Sequence, residues 1–562
     1  MAESIPAPER QSTPQLSLIV LLQDPGQKEL DALLASFRSQ SPGLAELIIV
    51  AYGHSGSGIR NRFEVSDTGV DVQVLHLDQP RNITDAANAG IHASRGTWIG
   101  LIEQGDLIAP HGLKMVVRAL QKLPDTQFLY TDEVIVDPQL GARSLVLKPG
   151  FDPVLLSGVD YVNHLSVYRC ERLLSMGGFD PAFEDSLQYE LVLRYCRGLA
   201  ADQIAHLPYP AYIHQQRAAG STTIPQARAA LEKHFAKPTR QISAGPAPAK
   251  SDLHRIRFLR SEAEWPHISV ILPNLDSPAL VQKAVDGVLQ ETDYPALELI
   301  VLDNGSTNQQ TLGLYDRIQS DPRVKVEIRP APFNFSAMIN RGAELATGRH
   351  LLLLNNDIAV EDPGWLKEMV GCLDYAGTGI VGAKLLFPDR RIQHAGVILG
   401  LNDIAGHWFY KQPEHTLGPD DRLTVRNSMS VVTGAVMLIS DRCWQTVGSF
   451  NETAFRVAYN DVDYCARARA AGFGVVWTPY AQLIHHENAT RGRDDVRRNK
   501  ARFAGEQAAL RDTHGTVGFE DPALSPWWSR SHSRPRELRR GSLPEPRHFM
   551  GFPADSPGSE QS

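Results

Sequence analysis

No apolar run in the 562-residue chain approaches the ~20 residues needed to cross a bilayer. The longest, such as Leu351 to Leu354 and Val431 to Ile439, are of strand length. The N-terminal stretch MAESIPAPERQSTPQ lacks the apolar segment of a signal peptide. Cysteine is scarce: Cys170, Cys196, Cys372, Cys443 and Cys465 are scattered, with no pair at the spacing of a zinc or redox motif. Such thiols read as core residues in a reducing compartment rather than as a disulfide framework. Positive charge is in deficit, 56 Lys plus Arg against 64 Asp plus Glu, for a net charge of -8. That leaves no electrostatic footprint for broad binding to a polyanion, so nucleic acid is not an expected partner. The expected location is the cytoplasm. Peripheral association at the inner face of the cytoplasmic membrane needs no span and stays open, with the Arg-rich tail after Trp527 and Trp528 as its candidate contact or as a solvated end.

What is present is enough apolar sequence for more than one core. The chain is 42% hydrophobic and 21% charged, and single cores stop growing at roughly 250–300 residues, so two domains are expected. An internal repeat supplies them. Leu16 to Leu22 and Ile268 to Leu272 are short apolar runs, each followed by a turn, a helical pattern and a second strand signal, ELIIVAYGHSG from Glu46 and ELIVLDNGST from Glu298, 252 residues apart. The same offset relates Asn82 to Asn334, Asn88 to Asn340, Gly90 to Gly342 and Gly96 to Gly348. Farther on, GGFDPAFEDSLQYELVLR from Gly177 parallels GSFNETAFRVAYNDVDYCAR from Gly448, with the offset grown to 273 by insertions. Strands alternating with helices in each copy predict an α/β unit with a mostly parallel sheet, whose ligands sit beyond the carboxyl ends of the strands.

Three polar constellations of the second copy lie at such places. Asp303-Asn304-Gly305-Ser306 follows the run Leu299 to Leu302; read alone it is more often an ordinary turn. Asn355-Asn356-Asp357 ends the run from Leu351, where a carboxylate suits a hard divalent cation, Mg2+ or Mn2+, completed by substrate phosphate, or simply a strand-ending turn. Tyr459 to Arg467 opens a helix that Gly472 closes, with Asp461 or Asn460 as a candidate N-cap. The strand Gly474 to Ile484 then ends in His485-His486-Glu487, where a histidine serves structure or a metal.

Taken in order, VLDNGS, FNFSAMINRGAELATGRHLLLLNND, TGAVMLIS, FNETAFRVAYNDVDYCARARAAG and WTPYAQLIHHE resemble the family 2 glycosyltransferases of the GT-A fold. The chain looks most like two-domain bacterial enzymes of surface-polysaccharide assembly. The resemblance covers Ile268 to Gly492 and, more loosely, Leu16 to Arg217. It implies two tandem nucleotide-diphospho-sugar transferase (Rossmann-like) domains, the first degenerate. The expected division is 16–217 for the degenerate copy, 218–265 for a linker with a helix from Gln226 to Phe235, 266–493 for the catalytic domain, and 494–562 for a C-terminal helix and disordered tail.

The resemblance also implies roles. Asp303 matches the acid that binds the nucleotide base, and Asn334 and Asn340 lie in the segment lining the nucleotide pocket. Asp357 matches the metal-binding last acid of the DxD motif, with Asn355 in its first place. His485, or else His486, matches the late metal ligand. Asp461 matches the general base, with Asn460 where the family has Glu. Asn356 and Gly434 complete the donor-binding set; the small residues Thr433-Gly434-Ala435 serve close approach of the donor sugar or tight strand packing.

The implied reaction is metal-dependent, inverting transfer from a nucleotide-diphospho-sugar, with UDP or dTDP favoured by Asp303, to a hydroxyl of a glycan or lipid-linked acceptor in O-antigen- or capsule-like synthesis. The QxxRW signature of processive members is missing, which favours one sugar per encounter. In the first copy Ala51, Gly105 and Gln188 stand opposite Asp303, Asp357 and Asp461, so that copy is expected to bind acceptor, pack or dock a partner. Glu103 and Asp106 nevertheless flank its vacant metal position, and His214 ends its last strand. The competing reading is a nonenzymatic glycan-binding or scaffold protein on the same fold.

Overall fold

The computed structural model describes residues 15–23, 27–40, 43–52, 71–77, 82–137, 141, 143–215, 223–237, 240–486 and 497–548. The chain forms two compact units: unit 1 holds residues up to Phe151, with Asp160–His234 and Ser542–Phe549, and unit 2 holds Asp152–Val159 and Phe235–Gly541.

Unit 1 contains strands β1 (Leu16–Leu22), β2 (Ala45–Ala51), β3 (Val72–His76), β4 (Trp98–Ile102), β5 (Leu107–Ile108), β6 (Phe128–Val136), β7 (Arg143–Val146), β8 (Ser166–Arg169) and β9 (Ile204–Gln215). Their order is β9-β6-β8-β4-β1-β2-β3, with β5 on β9, β7 on β6 and the short strand Arg547–His548 outside β9. In unit 2, β10 (Gln241–Ala247) and β11 (Lys250–Leu259) form a separate hairpin. The strands that follow are β12 (Ile268–Asn274), β13 (Leu297–Asp303), β14 (Val324–Ile328), β15 (His350–Leu354), β16 (Ile358–Val360), β17 (Thr378–Leu386), β18 (Ile392–His394), β19 (Val397–Leu399), β20 (Ala405–His407), β21 (Asn427–Ser428), β22 (Val436–Ile439) and β23 (Gly474–His485). Their main order, β14-β13-β12-β15-β22-β17-β23-β16, repeats that of unit 1 strand for strand.

Each sheet is mixed rather than mostly parallel. Strands β12, β13, β14 and β15 pair in parallel, whereas β22 runs antiparallel to β15 and β17, as β8 does to β4 and β6. Fully buried, near-continuous apolar runs such as Ile268–Asn274 and Leu297–Asp303 follow from coverage of the sheet on both faces.

The residues shared at the 252 offset turn out to hold the fold. Ser17 Oγ donates to Glu46 at 2.6 Å and accepts from Gly96 N at 2.8 Å; Ser269 Oγ does the same with Glu298 at 2.7 Å and Gly348 N at 2.8 Å. Glycine is required there, because a Cβ on Gly348 would lie 2.5 Å from the Ser269 backbone nitrogen and one on Gly96 2.7 Å from that of Ser17. Asn82 and Asn334 cap the helices Ile83–Ala93 and Phe335–Leu345, accepting from Asp85 N and Ala337 N. Asn88 and Asn340 each grip one loop backbone twice: Asn88 Nδ2 donates to Phe179 O and its Oδ1 accepts from Phe179 N, while Asn340 makes the same pair with Phe450.

Two expectations need correction. The segment expected as a linker contains the helix Thr223–Phe235 and then the β10-β11 hairpin, which belongs to unit 2; Arg426 Nη1 donates to Ile256 O at 2.6 Å. The tail is not disordered over 515–541. Asp521 Oδ2 accepts from Leu399 N at 2.7 Å, Arg422 Nη1 donates to Ala523 O at 2.7 Å, and Trp528 packs against the core of unit 2. Its Pro- and Arg-rich composition hid the few buried residues, Asp521 to Ser525, that fix it.

The hairpin is tied in by a buried ion cluster. Glu368 accepts from Arg426 Nε and Nη2 at 2.8 Å each, from Arg255 Nη2 at 2.8 Å and from Thr478 Oγ1 at 2.7 Å. Burial opposes its ionisation, but the Arg426 charge and these hydrogen bonds win and hold the carboxyl down at about 2. Removing one member leaves buried cations uncompensated, so Glu368→Gln is expected to lower the unfolding free energy of unit 2 by about 3–5 kcal/mol in urea titration. Because the folded pKa lies below the unfolded value, the carboxylate's contribution is complete above about pH 4.5 and is lost as pH falls toward 2. The wild-type advantage over the variant should therefore shrink across that window.

Candidate active site

The carboxyl ends of the unit 2 strands open into a cavity of about 810 Å3, within the size range of small-molecule sites. Asn274, Asn356, Asp357, Gly434, Asp461 and His485 are among the residues lining it. Three sequence-distant segments converge there because of register. Asp357 sits in the turn between β15 and β16, and the antiparallel pair β16-β23 places Ile358 opposite His485. Asp357 Oδ1 and His485 Nε2 consequently lie 3.2 Å apart, both side chains less than a tenth exposed. Asp357 Oδ1 and His485 Nδ1 are both buried with no hydrogen-bond partner in the protein. An unpartnered buried carboxylate oxygen beside an imidazole is a costly arrangement unless something binds it. A carboxylate oxygen beside an imidazole is a donor set that suits a divalent cation such as Mn2+ better than Mg2+, whose shell is built from oxygen. His485, not His486, lines the cavity; His486 N instead donates to Asp357 O at 2.9 Å.

Asp461 stands in the first turn of the helix Asn460–Ala470, entered through Tyr459 in the left-handed region at φ 59°. Its Oδ2 accepts from Gly434 N at 3.0 Å and its Oδ1 from Val462 N at 2.9 Å. Two backbone donors therefore aim the carboxylate, and the helix N-terminus favours its charge. A Cβ on Gly434 would meet Asp461 Cβ at 3.5 Å and Phe335 at 3.8 Å, ordinary contacts, so the missing side chain leaves room in the cavity rather than answering to strand packing. Asn460, also lining the cavity, turns its amide to Val457 O at 2.7 Å.

Three expected site residues lie elsewhere. Asp303 ends β13 fully buried, its Oδ1 accepting from Gly305 N at 2.9 Å and Ser306 N at 2.6 Å, and its Oδ2 from Ser306 Oγ, Tyr315 OH and Asn274 Nδ2. The protein's own donors occupy its lone pairs. It braces Asn274, whose Oδ1 accepts from Asn356 Nδ2 at 2.6 Å, and so acts on the cavity through two asparagines without lining it. Asn334 and Asn340 are the helix cap and loop clamp described above, and neither lines the cavity.

Further lining residues come from the segment between β17 and β22, His407 among them, and from the C-terminal helix. His394 and His407 lie in the insertion between β17 and β22, their Nδ1 atoms 3.0 Å apart. Burial, with the neighbouring His407 and His485, holds His394 far below the ordinary histidine range. The ring is neutral; its Nε2 accepts from Thr433 N at 3.3 Å, so its Nδ1 carries the hydrogen toward His407. The helix Arg497–His514 adds Asn499, Arg502 and Phe503 to the wall. Its Glu506 accepts from Val457 N at 2.9 Å and Ala458 N at 3.3 Å, fixing the loop that leads to Asp461. The growth of the repeat offset from 252 to 273 was the only sign of the insertion.

Unit 1 carries a changed version of this corner. Ala51 and Gln188 stand where unit 2 has Asp303 and Asp461. The match of Gly105 to Asp357 is corrected: Asp106 immediately precedes β5 as Asp357 precedes β16, and β5 pairs with β9 as β16 does with β23. The turn after β4 is one residue longer than its counterpart after β15, which displaced the match.

Residues 266–505 match the family described as glycosyltransferase like family 2. An uncharacterized protein of Sinorhizobium fredii is 34% identical over 532 residues, 92% of this chain and 58% of its own length. An O-antigen biosynthesis protein of Myxococcus xanthus is 34% identical over 525 residues, 91% of this chain and 40% of its own. An N-acetylglucosaminyl-diphospho-decaprenol L-rhamnosyltransferase of Mycobacterium tuberculosis is 24% identical over 277 residues, 46% of this chain and 84% of its own. The chain thus spans about half the length of the first two relatives.

Proposed function

We propose that unit 2, whose residues 266–505 match the family described as glycosyltransferase like family 2, moves a sugar from a nucleotide-diphospho-sugar to a hydroxyl of a glycan or lipid-linked acceptor in bacterial surface-polysaccharide synthesis. The transfer inverts the anomeric centre and adds one sugar per encounter. The observation that carries the reading is one cavity lined by Asp461, Gly434, Asp357 and His485, in which the buried Asp357 Oδ1, without a hydrogen-bond partner, lies 3.2 Å from His485 Nε2.

Asp461 takes the acceptor hydroxyl's proton as the oxygen attacks the anomeric carbon opposite the leaving diphosphate. Gly434 N–H and Val462 N–H keep that carboxylate in place. Asp357 and His485 are the residues that would hold a divalent cation, which when bound would offset the negative charge that develops on the diphosphate. Asn356, steadied by Asn274, and the space over Gly434 receive the donor. The O-antigen relative and the rhamnosyltransferase relative, which bears a lipid-diphosphate acceptor in its name, support the substrate class. Unit 1 serves acceptor binding or docking, since it has Ala51 and Gln188 in place of Asp303 and Asp461.

The test is a panel of UDP-, dTDP- and GDP-sugars incubated with the full chain, Mn2+ and lipid-diphosphate-linked saccharides, reading released nucleoside diphosphate and the anomeric configuration of the product. Metal-dependent release with an inverted product is expected. Release from no donor in the panel, by folded protein, would move the reading to a glycan-binding scaffold.

A further inference from the structure

Unit 1 holds a second cluster of ligand groups that the transfer reaction does not use. Glu103, His164 and His214 each offer one ligand atom, all within 4.8 Å of one another, the only such group of three among the described residues. Glu103 comes from the turn after β4, His164 from the segment before β8, and His214 from the end of β9. His164 Nε2 lies 3.0 Å from Glu103 Oε1, and the two imidazole rings stack with centroids 4.8 Å apart and planes at 12°.

What separates this cluster from a chance ion-pair group is its outer layer. His214 Nδ1 lies 2.9 Å from Asp106 Oδ2, a fully buried carboxylate that also accepts from Tyr212 OH at 2.9 Å. His164 Nδ1 lies 3.4 Å from Glu133 Oε2, and Glu133 is balanced by Lys148 at 3.3 Å. Each imidazole therefore has its Nδ1 directed at a carboxylate, which leaves Nε2 to face the cluster. That is the carboxylate–histidine arrangement that fixes tautomer and ring orientation in metal sites. Gln188 Nε2 donates to Glu103 Oε1 at 3.0 Å and orients the third ligand.

We propose that unit 1 binds one divalent transition-metal ion of the zinc class through Glu103 Oε1, His164 Nε2 and His214 Nε2, with water in the fourth position. Two imidazoles and one carboxylate select such an ion over Mg2+, whose shell is built from oxygen. Ligands at 2.0–2.2 Å around a tetrahedral ion sit about 3.4 Å apart, so the cluster needs only small side-chain shifts to close on it. Gln188, in the place of the unit 2 base, here supports a ligand.

The test uses the full chain, stripped with chelator and titrated with Co2+ as a spectroscopic stand-in for Zn2+. Asp357→Ala, which removes the unit 2 cation site, is expected to develop visible d–d absorption saturating at one ion, to release it to competing Zn2+, and to gain thermal stability in its presence, and wild type is expected to show the same absorption. His214→Gln and Glu103→Gln are expected to weaken that binding by more than about 100-fold, since loss of even an outer partner costs 10–100-fold. Asp106→Asn, which keeps all three ligands, is expected to weaken it 10–100-fold and gives an independent reading where a ligand variant misfolds. Absence of the absorption in wild type, or an unchanged affinity in folded His214→Gln or Asp106→Asn, overturns the proposal and leaves His164 as the cation bridging Glu103 and Glu133.

Discussion

Asp461→Asn is expected to lower the transfer rate by about 10²–10⁴-fold, the usual contribution of a positioned general base, with little change in donor affinity. The geometry gives the reason for this split. Both carboxylate oxygens accept backbone hydrogen bonds, from Gly434 at 3.0 Å and Val462 at 2.9 Å, and the amide retains an oxygen for one of these. The variant thus keeps the helix start and the cavity wall but has no group to take the acceptor proton. Steady-state kinetics should show a fall in kcat with the donor KM preserved. A raised KM with kcat intact would instead make Asp461 a binding residue and return the search for the base to the cavity wall.

Asp357→Ala is the second large effect. The side chain is buried, its Oδ1 has no hydrogen-bond partner, and His485 Nε2 stands 3.2 Å away. If Asp357 holds the proposed cation, truncation is expected to abolish metal-dependent donor binding and to lower transfer by at least about 10²–10³-fold. Stability should change little or improve, because the variant removes a buried acceptor with no donor. Metal-independent turnover at the wild-type rate would contradict the role given to Asp357.

The two copies explain which parts of the site were legible in the sequence. Asn334, Asn340, Gly342 and Gly348 drew attention because the first copy repeats them, yet repetition marks what both units need to fold: a cap, a loop clamp and two close approaches. Asp461 and Asp357, placed by motif, do line the cavity, whereas Asp303 spends its lone pairs inside the protein. Loop length misled the match of Asp357 to Gly105, since one added residue in the turn moves the acid to Asp106 without altering the strand pairing. His407 and the helix Arg497–His514 reach the cavity only through long-range packing of an insertion and of a polar C-terminal segment, and neither carries a local signal. His164 was invisible for the same reason, lying 61 residues from Glu103 in the chain and beside it in space.

The most direct test of a working donor site in unit 2 is calorimetry of the full chain with UDP, dTDP and GDP, each with and without Mn2+, on wild type and Asp357→Ala. One nucleotide binding to wild type only when Mn2+ is present, and not to Asp357→Ala, is the expected result and assigns the donor's nucleotide. Equal binding by both proteins, or none by a folded wild type, would contradict a metal-held donor in this cavity.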